Sequence, residues 1–287
     1  MEARQYIEFI TENIGARVSG SPREAETAQY ITGVFEKLGY SPETRPFTDT
    51  GYIGDTETTI HSANVVAVKP GLSHREIIVG AHYDSVDDGL GADDNASGVA
   101  VMLTAAGLVA DVETPYTIVF VAFGAEEADL LGSYAYVDSM STAEIQNVVV
   151  MLNLDSLTAG DINYVYSNER KSVVRDWALD WAQSHSYALE TIRNVDLTDE
   201  DGYDVADYAA FQEAGIPFAY FEATNWNLGD QDGYTQVDPQ YGDAGAIIHT
   251  QYDTIEYLDE TFPGRVDERL DLFVAVVYNL LTQFEMP

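Results

Sequence analysis

The chain has no cysteine and only three lysines, Lys37, Lys69 and Lys171, in 287 residues. Without cysteine there is no disulfide and no thiolate metal site, so any bound metal takes its ligands from His, Asp or Glu. Cations are scarce altogether: 13 Lys+Arg stand against 49 Asp+Glu, a formal net charge of −36. That balance excludes nucleic acid and other polyanions as partners. No apolar run approaches the ~18 residues of a membrane-spanning helix, which excludes a spanning segment. The N-terminal stretch MEARQYIEFITENIG has no basic region followed by an apolar one, so no secretory signal is expected in this chain. A mature secreted form would look the same, as would a cytoplasmic protein of a high-salt cell.

What is present argues for a folded protein. Hydrophobic residues make up 46% of the chain, and the acids are spread along it without forming a tail. So large a dispersed excess suits a protein bathed in concentrated salt, where like charges are screened over ~3 Å at 1 M. No linker or internal repeat divides the sequence, and residues 1–287 are expected to form one domain.

Ser21-Pro22-Arg23-Glu24 has the form of a capping box with Pro at the first helical position, and Ala28, Ile31, Phe35 and Leu38 follow at helical spacing. Another helix is expected over 3–14. Short apolar runs at 63–69, 76–81, 116–123, 147–154 and 217–222 read as strands buried on both faces. Helical spacing lies between them at about 96–110, 129–139, 171–186 and 206–214, and at the end over 265–284. The fold class is therefore α/β, with a mostly parallel, mixed central sheet sandwiched by helices. Residues 225–246 form a Gly/Asp-rich stretch long enough to be a functional loop.

In such sheets ligands bind beyond the carboxyl ends of the strands. Here one strand runs into His82-Tyr83-Asp84, the next into Gly124-Ala125-Glu126-Glu127 and a third into Asp155. A carboxylate two residues from an imidazole is the arrangement that fixes a metal-binding tautomer, which gives Asp84 the task of orienting His82. Between the first two strands lies an acidic pair, Asp93-Asp94, at the opening of a helix. His61, His74 and His185 have no such context and are expected at the surface. Asn95-Ala96-Ser97 fits a glycosylation acceptor, but a glycan there would obstruct the site. The acidic stretches at 196–208 and 228–239 lack the final Glu of an EF-hand.

The blocks GAHYDSV (80–86), GADDNASG (91–98), FGAEEADLLGS (123–133), LNLDS (152–156) and IHTQYDT (248–254) together resemble the zinc-dependent aminopeptidases of the M28 type. The resemblance covers most of the chain. It implies a co-catalytic site with two zinc ions: His82 and Asp155 on one, Glu127 and His249 on the other, and Asp94 bridging them. Glu126 becomes the general base, and the substrates are peptides with a free N-terminus. Tyr203, in DGYDVADY (201–208), lies where related enzymes direct a tyrosine hydroxyl at the substrate carbonyl. The same stretch departs from the pattern, with Ala206-Asp207-Tyr208 where many relatives have Ser-Asp-His. Phe221, Glu222 and the 225–246 loop are expected to wall the specificity pocket. A carboxypeptidase or dipeptidase, a glutaminyl cyclase with one zinc, and a receptor-like relative that has lost its ligands are the alternatives on this fold. Two features weigh against the last pair: the paired Glu126-Glu127, and the full set of ligand positions.

Overall fold

The computed structural model describes residues 2–167, 172–192, 206–231 and 233–286. The chain opens with α1 (Ala3–Glu8), a π-helical turn (Phe9–Ile14) and α2 (Pro22–Lys37), then the hairpin β1 (Glu43–Ile53) and β2 (Thr56–Lys69). Then come β3 (Ser73–His82), an irregular turn at Ala92–Ser97, α3 (Gly98–Val109), β4 (Tyr116–Phe123), α4 (Leu131–Asp138), α5 (Thr142–Asn147) and β5 (Val148–Leu154). The remaining elements are β6 (Ile162–Tyr166), α6 (Val173–Ser184), α7 (Tyr208–Glu213), β7 (Phe218–Thr224), α8 (Ile255–Thr261) and α9 (Arg265–Gln283).

The seven strands form one sheet in the order β1-β2-β4-β3-β5-β7-β6. Its four inner strands, β4, β3, β5 and β7, run parallel, while β1, β2 and β6 are antiparallel to their neighbours. Alternation along each strand feeds two cores. Ile77, Val79, Phe120, Leu152 and Phe221 pack on one face against α1, α2, α3 and α9. Ile78, Val119, Met151, Phe218 and Tyr220 pack on the other face with Tyr136 of α4 and with Tyr208 and Phe211 of α7. Burial on both faces explains why these strands are continuously apolar in sequence.

The hairpin β1–β2 goes beyond the strand expected at 63–69. β1 is almost wholly exposed, carries Pro46 and turns into β2 at Gly54 (φ 54°), so it lacks the apolar run that marks the inner strands. Proline is tolerated there because an edge strand leaves N–H groups unpaired. The short β6, α5 and α8 also go beyond the sequence expectation. The helix expected from residue 3 to 14 continues past α1 as a π-helical turn ending at Gly15, whose φ is 88°.

Candidate active site

The parallel strands β3, β4 and β5 end side by side and deliver His82, Glu126-Glu127 and Asp155 to one cleft, where Asp94 and His249 join them. His82 Nε2 lies 3.1 Å from Asp94 Oδ1, 3.4 Å from Asp155 Oδ1 and 3.9 Å from Glu126 Oε2. The other oxygen of Asp94, Oδ2, lies 3.0 Å from His249 Nε2, which is itself 3.2 Å from Glu127 Oε2. Three donor groups result, His82 with Asp94 and Asp155, Asp94 with Glu127 and His249, and His82 with Glu126 and Glu127, and the first two share the single carboxylate of Asp94.

Each of these side chains is set by its backbone. Asp253 accepts the N–H groups of Asp93 (2.6 Å) and Asp94 (3.1 Å), pinning the turn that presents Asp94. The two acids of that pair have different tasks. Asp93 points away, accepting from the Thr158 N–H and hydroxyl, the Ala159 N–H and Gln236 Nε2. Asn95 is fully buried, donates to the Leu154 carbonyl and accepts from the Gly98 N–H, so it is unavailable to a glycan. Only glycine fits at 98, because a Cβ there would stand 2.2 Å from the Leu154 carbonyl oxygen.

The Glu126-Glu127 turn is held from two sides. Asp84 accepts both N–H groups, at 3.1 and 3.2 Å, and also the hydroxyl of Ser19 at 2.6 Å. Its Oδ1 lies 3.4 Å from His82 Nδ1, beside the ring but without hydrogen-bond geometry, so Asp84 holds the Glu126-Glu127 turn and Ser19 rather than the ring. From behind, Glu24 accepts the Ala125 N–H (3.0 Å), the Ser62 hydroxyl (2.5 Å) and the Gly20 N–H (2.7 Å). This corrects half of the expected capping box. Ser21 does accept the Glu24 N–H, but the Glu24 carboxylate turns inward toward the Glu126-Glu127 turn instead of capping Ser21. Arg17, fully buried, donates to the carbonyls of Tyr83, Leu90 and Gly91 and ties the β3 exit to the loop before Asp94.

The electrostatics follow from packing so many acids together. Burial would raise Asp94, but contacts with His249 and His82 hold it well below the usual carboxylate range. Burial would lower His249, yet Glu127 and Asp94 push it up to about 12. Burial drives Glu126 well above an ordinary glutamate, with His82 opposing. Asp207 is buried and pushed up to about 7 by desolvation, with His82 and Ser133 opposing. Tyr208 stacks on Phe218 at 4.3 Å and joins the aromatic core.

The donor set fits zinc. Imidazole nitrogens and carboxylate oxygens converge with no lysine or arginine among the described residues lining the cleft. Glu127 Oε1 is buried there without a hydrogen-bond partner, an acceptor that a cation would satisfy.

The cleft is lined also by Ser156, Tyr220, Glu222, Gly233, Tyr234 and Ile248. Of the expected pocket walls, Glu222 and the 225–246 loop take their places. Phe221 does not, because the strand alternation turns it into the core on the opposite face. His61, His74 and His185 are exposed, as expected. Tyr203 lies outside the described residues. Glu24 and Asp253 are the supporting residues to which the sequence assigned no part in the site. Glu24 sits in a motif that reads as a cap, and Asp253 reaches its partners across about 160 residues of chain.

Residues 64–274 match the model of peptidase family M28. The chain belongs to that family. It is 33% identical over 295 residues to the alkaline phosphatase isozyme conversion protein of Escherichia coli, covering 93% of this chain and 85% of that protein. It is 34% identical over 237 residues to aminopeptidase YwaD of Bacillus subtilis, covering 79% of this chain but 46% of that relative, so the chain spans about half its length. Among solved structures, the fold is shared with a zinc aminopeptidase from Bacillus subtilis (TM-score 0.77, 21% identity, 100% of this chain and 96% of that one). It is shared also with the glutaminyl cyclase of Porphyromonas gingivalis (TM-score 0.70, 18% identity, 96% of each chain). By family and donor set together, this M28 member is a zinc-dependent exopeptidase. No helix among the described residues is long and apolar enough to cross a membrane.

Proposed function

We propose that this M28 peptidase removes N-terminal residues from peptides with two zinc ions in the cleft. The observation that carries the reading is the orientation of Asp94, whose two oxygens face His82 and His249 separately. His82, Asp155 and Asp94 would hold one ion, and Glu127, His249 and Asp94 the other. When bound, zinc would supply Lewis acidity toward the scissile carbonyl and make water acidic enough to attack near neutral pH. Glu126, beside a ligand but outside both groups that share Asp94, takes the water's proton on its carboxylate and returns it to the leaving amine. Asp84 keeps Glu126 and Glu127 at fixed height through their backbone N–H groups. Tyr203 remains a candidate for the substrate carbonyl, on the family resemblance alone.

An N-terminal amine is the substrate end that this cleft fits. Its lining is carboxylate-rich and offers no lysine or arginine to clamp a C-terminal carboxylate among the described residues. The acidic surplus supports a working environment of concentrated salt, either in the cytoplasm of a high-salt cell or outside it. Zinc-loaded protein should hydrolyse free aminoacyl p-nitroanilides and leave their N-acetyl derivatives intact. Cyclisation of N-terminal glutamine without peptide hydrolysis would instead favour the glutaminyl cyclase reading, which the shared fold supports.

A further inference from the structure

Along β7 the side chains alternate between the two cores. Ala219, Phe221 and Ala223 enter the helix-packed core on one face. Phe218 and Tyr220 enter the aromatic layer on the other, and Glu222 continues their row at the carboxyl end of the strand, where it lines the cleft. A carboxylate thus ends an otherwise aromatic wall. Its position is fixed: the Tyr166 hydroxyl donates to Glu222 Oε2 at 2.9 Å, and Trp226 Nε1 donates to that same hydroxyl at 2.6 Å. Tyr166 in turn packs against Tyr164 (5.5 Å) and Tyr220 (5.4 Å).

Glu222 belongs to none of the metal-holding groups, so loading the centre would leave its charge unbalanced. No ion pair joins it to a cation among the described residues, and burial pushes it up to about 8. A half-buried carboxylate supported only by neutral hydroxyls is costly, and a cation brought to it recovers part of that cost. The rings of Tyr220 and Tyr234 line the same cleft and are suited to a guanidinium or ammonium group. An apolar side chain at this position would leave the carboxylate desolvated and unpaired.

We propose that Glu222 selects a cationic side chain, arginine or lysine, at the N-terminal residue of the substrate. The proposal rests on the aminopeptidase reading above and gives that activity its substrate class.

The test compares arginine, citrulline and leucine p-nitroanilides on the zinc-loaded enzyme and its Glu222→Gln variant, alongside calorimetric binding of argininamide, citrullinamide and leucinamide. Citrulline keeps the shape of arginine and removes its charge. The wild type should have the highest kcat/KM with arginine. In Glu222→Gln the arginine-to-leucine ratio should fall by roughly 30-fold or more, the scale for losing one partner of a desolvated charge pair. A ratio is unaffected by the fraction of variant that folds. Leucine turnover with no preference for arginine over citrulline would overturn the proposal and leave the peptidase reading standing. Equal loss on all three substrates would also overturn it, since Glu222 would then be holding the shared α-amine. If no anilide were hydrolysed while argininamide still bound in a Glu222-dependent way, the cationic pocket would stand and the peptidase reading would fall.

Discussion

Asp84 holds Glu127 through its backbone: Asp84 Oδ2 accepts the Glu127 N–H at 3.2 Å, while Oδ1 accepts that of Glu126 at 3.1 Å. One buried carboxylate therefore sets the height of both the proposed base and a proposed ligand, next to the ring of His82. Asp84→Asn turns an amide group toward donors that need an acceptor. The variant should lose about 10–100-fold in activity or zinc affinity, the usual scale for a group supporting metal ligands. Zinc titration alongside kcat checks this. Wild-type values for both would mean that Asp84 supports neither glutamate.

Glu126 and Glu127 are adjacent in sequence and have different proposed tasks. Glu126→Gln should retain its metal and lose ~10²–10⁴-fold in kcat, the scale of general-base catalysis. Glu127→Gln should bind one ion more weakly. Metal content and kcat measured on the same samples separate the two effects. Near-full turnover in Glu126→Gln would remove Glu126 from the proton path.

Glu24 accepts three donors behind the Glu126-Glu127 turn, including the N–H of Ala125, whose φ is 55°. Glu24→Ala leaves the buried Ala125 N–H without an acceptor, at a cost of about 1–3 kcal/mol. The melting temperature should fall and kcat should drop, with little change in KM because Glu24 does not line the cleft. A variant as stable and active as the wild type would show that the turn holds itself.

The site is legible in the sequence where chemistry and periodicity coincide. β3, β4, β5 and β7 are apolar on both faces, so periodicity alone marks their ends, and with them His82, Glu126, Glu127 and Asp155. β1 cannot be found this way, because it is exposed along nearly its whole length and carries no core pattern. Phe221 reads as a pocket residue because a continuously apolar strand conceals which residues face which layer, and only the β6–β7 register settles that parity. Glu24 satisfies a local helix-capping pattern, and a tertiary contact with Ala125 outweighs it. Asp253 meets the Asp93-Asp94 backbone only through the fold, and no spacing rule links them.

The surplus of acids bears on stability. At low ionic strength, 49 acids against 13 bases repel one another in the compact state, and isolated surface ion pairs, worth ~0–1 kcal/mol each, cannot offset this. Chloride salts screen the repulsion, so the melting temperature should rise between about 0.1 and 2 M KCl at fixed zinc concentration. Sulfate would mix in its own effect on burial and is the poorer choice. A flat or falling melting temperature would remove the case for adaptation to salt.

The two-metal mechanism turns on the shared carboxylate of Asp94, and metal stoichiometry probes that carboxylate most directly. Elemental analysis of protein purified without chelator and equilibrated with zinc should give two ions per chain, and Asp94→Ala should lose both, because its oxygens face His82 and His249 at 3.1 and 3.0 Å. A wild-type stoichiometry that stays at one after zinc addition would contradict it, as would an Asp94→Ala variant that still binds two.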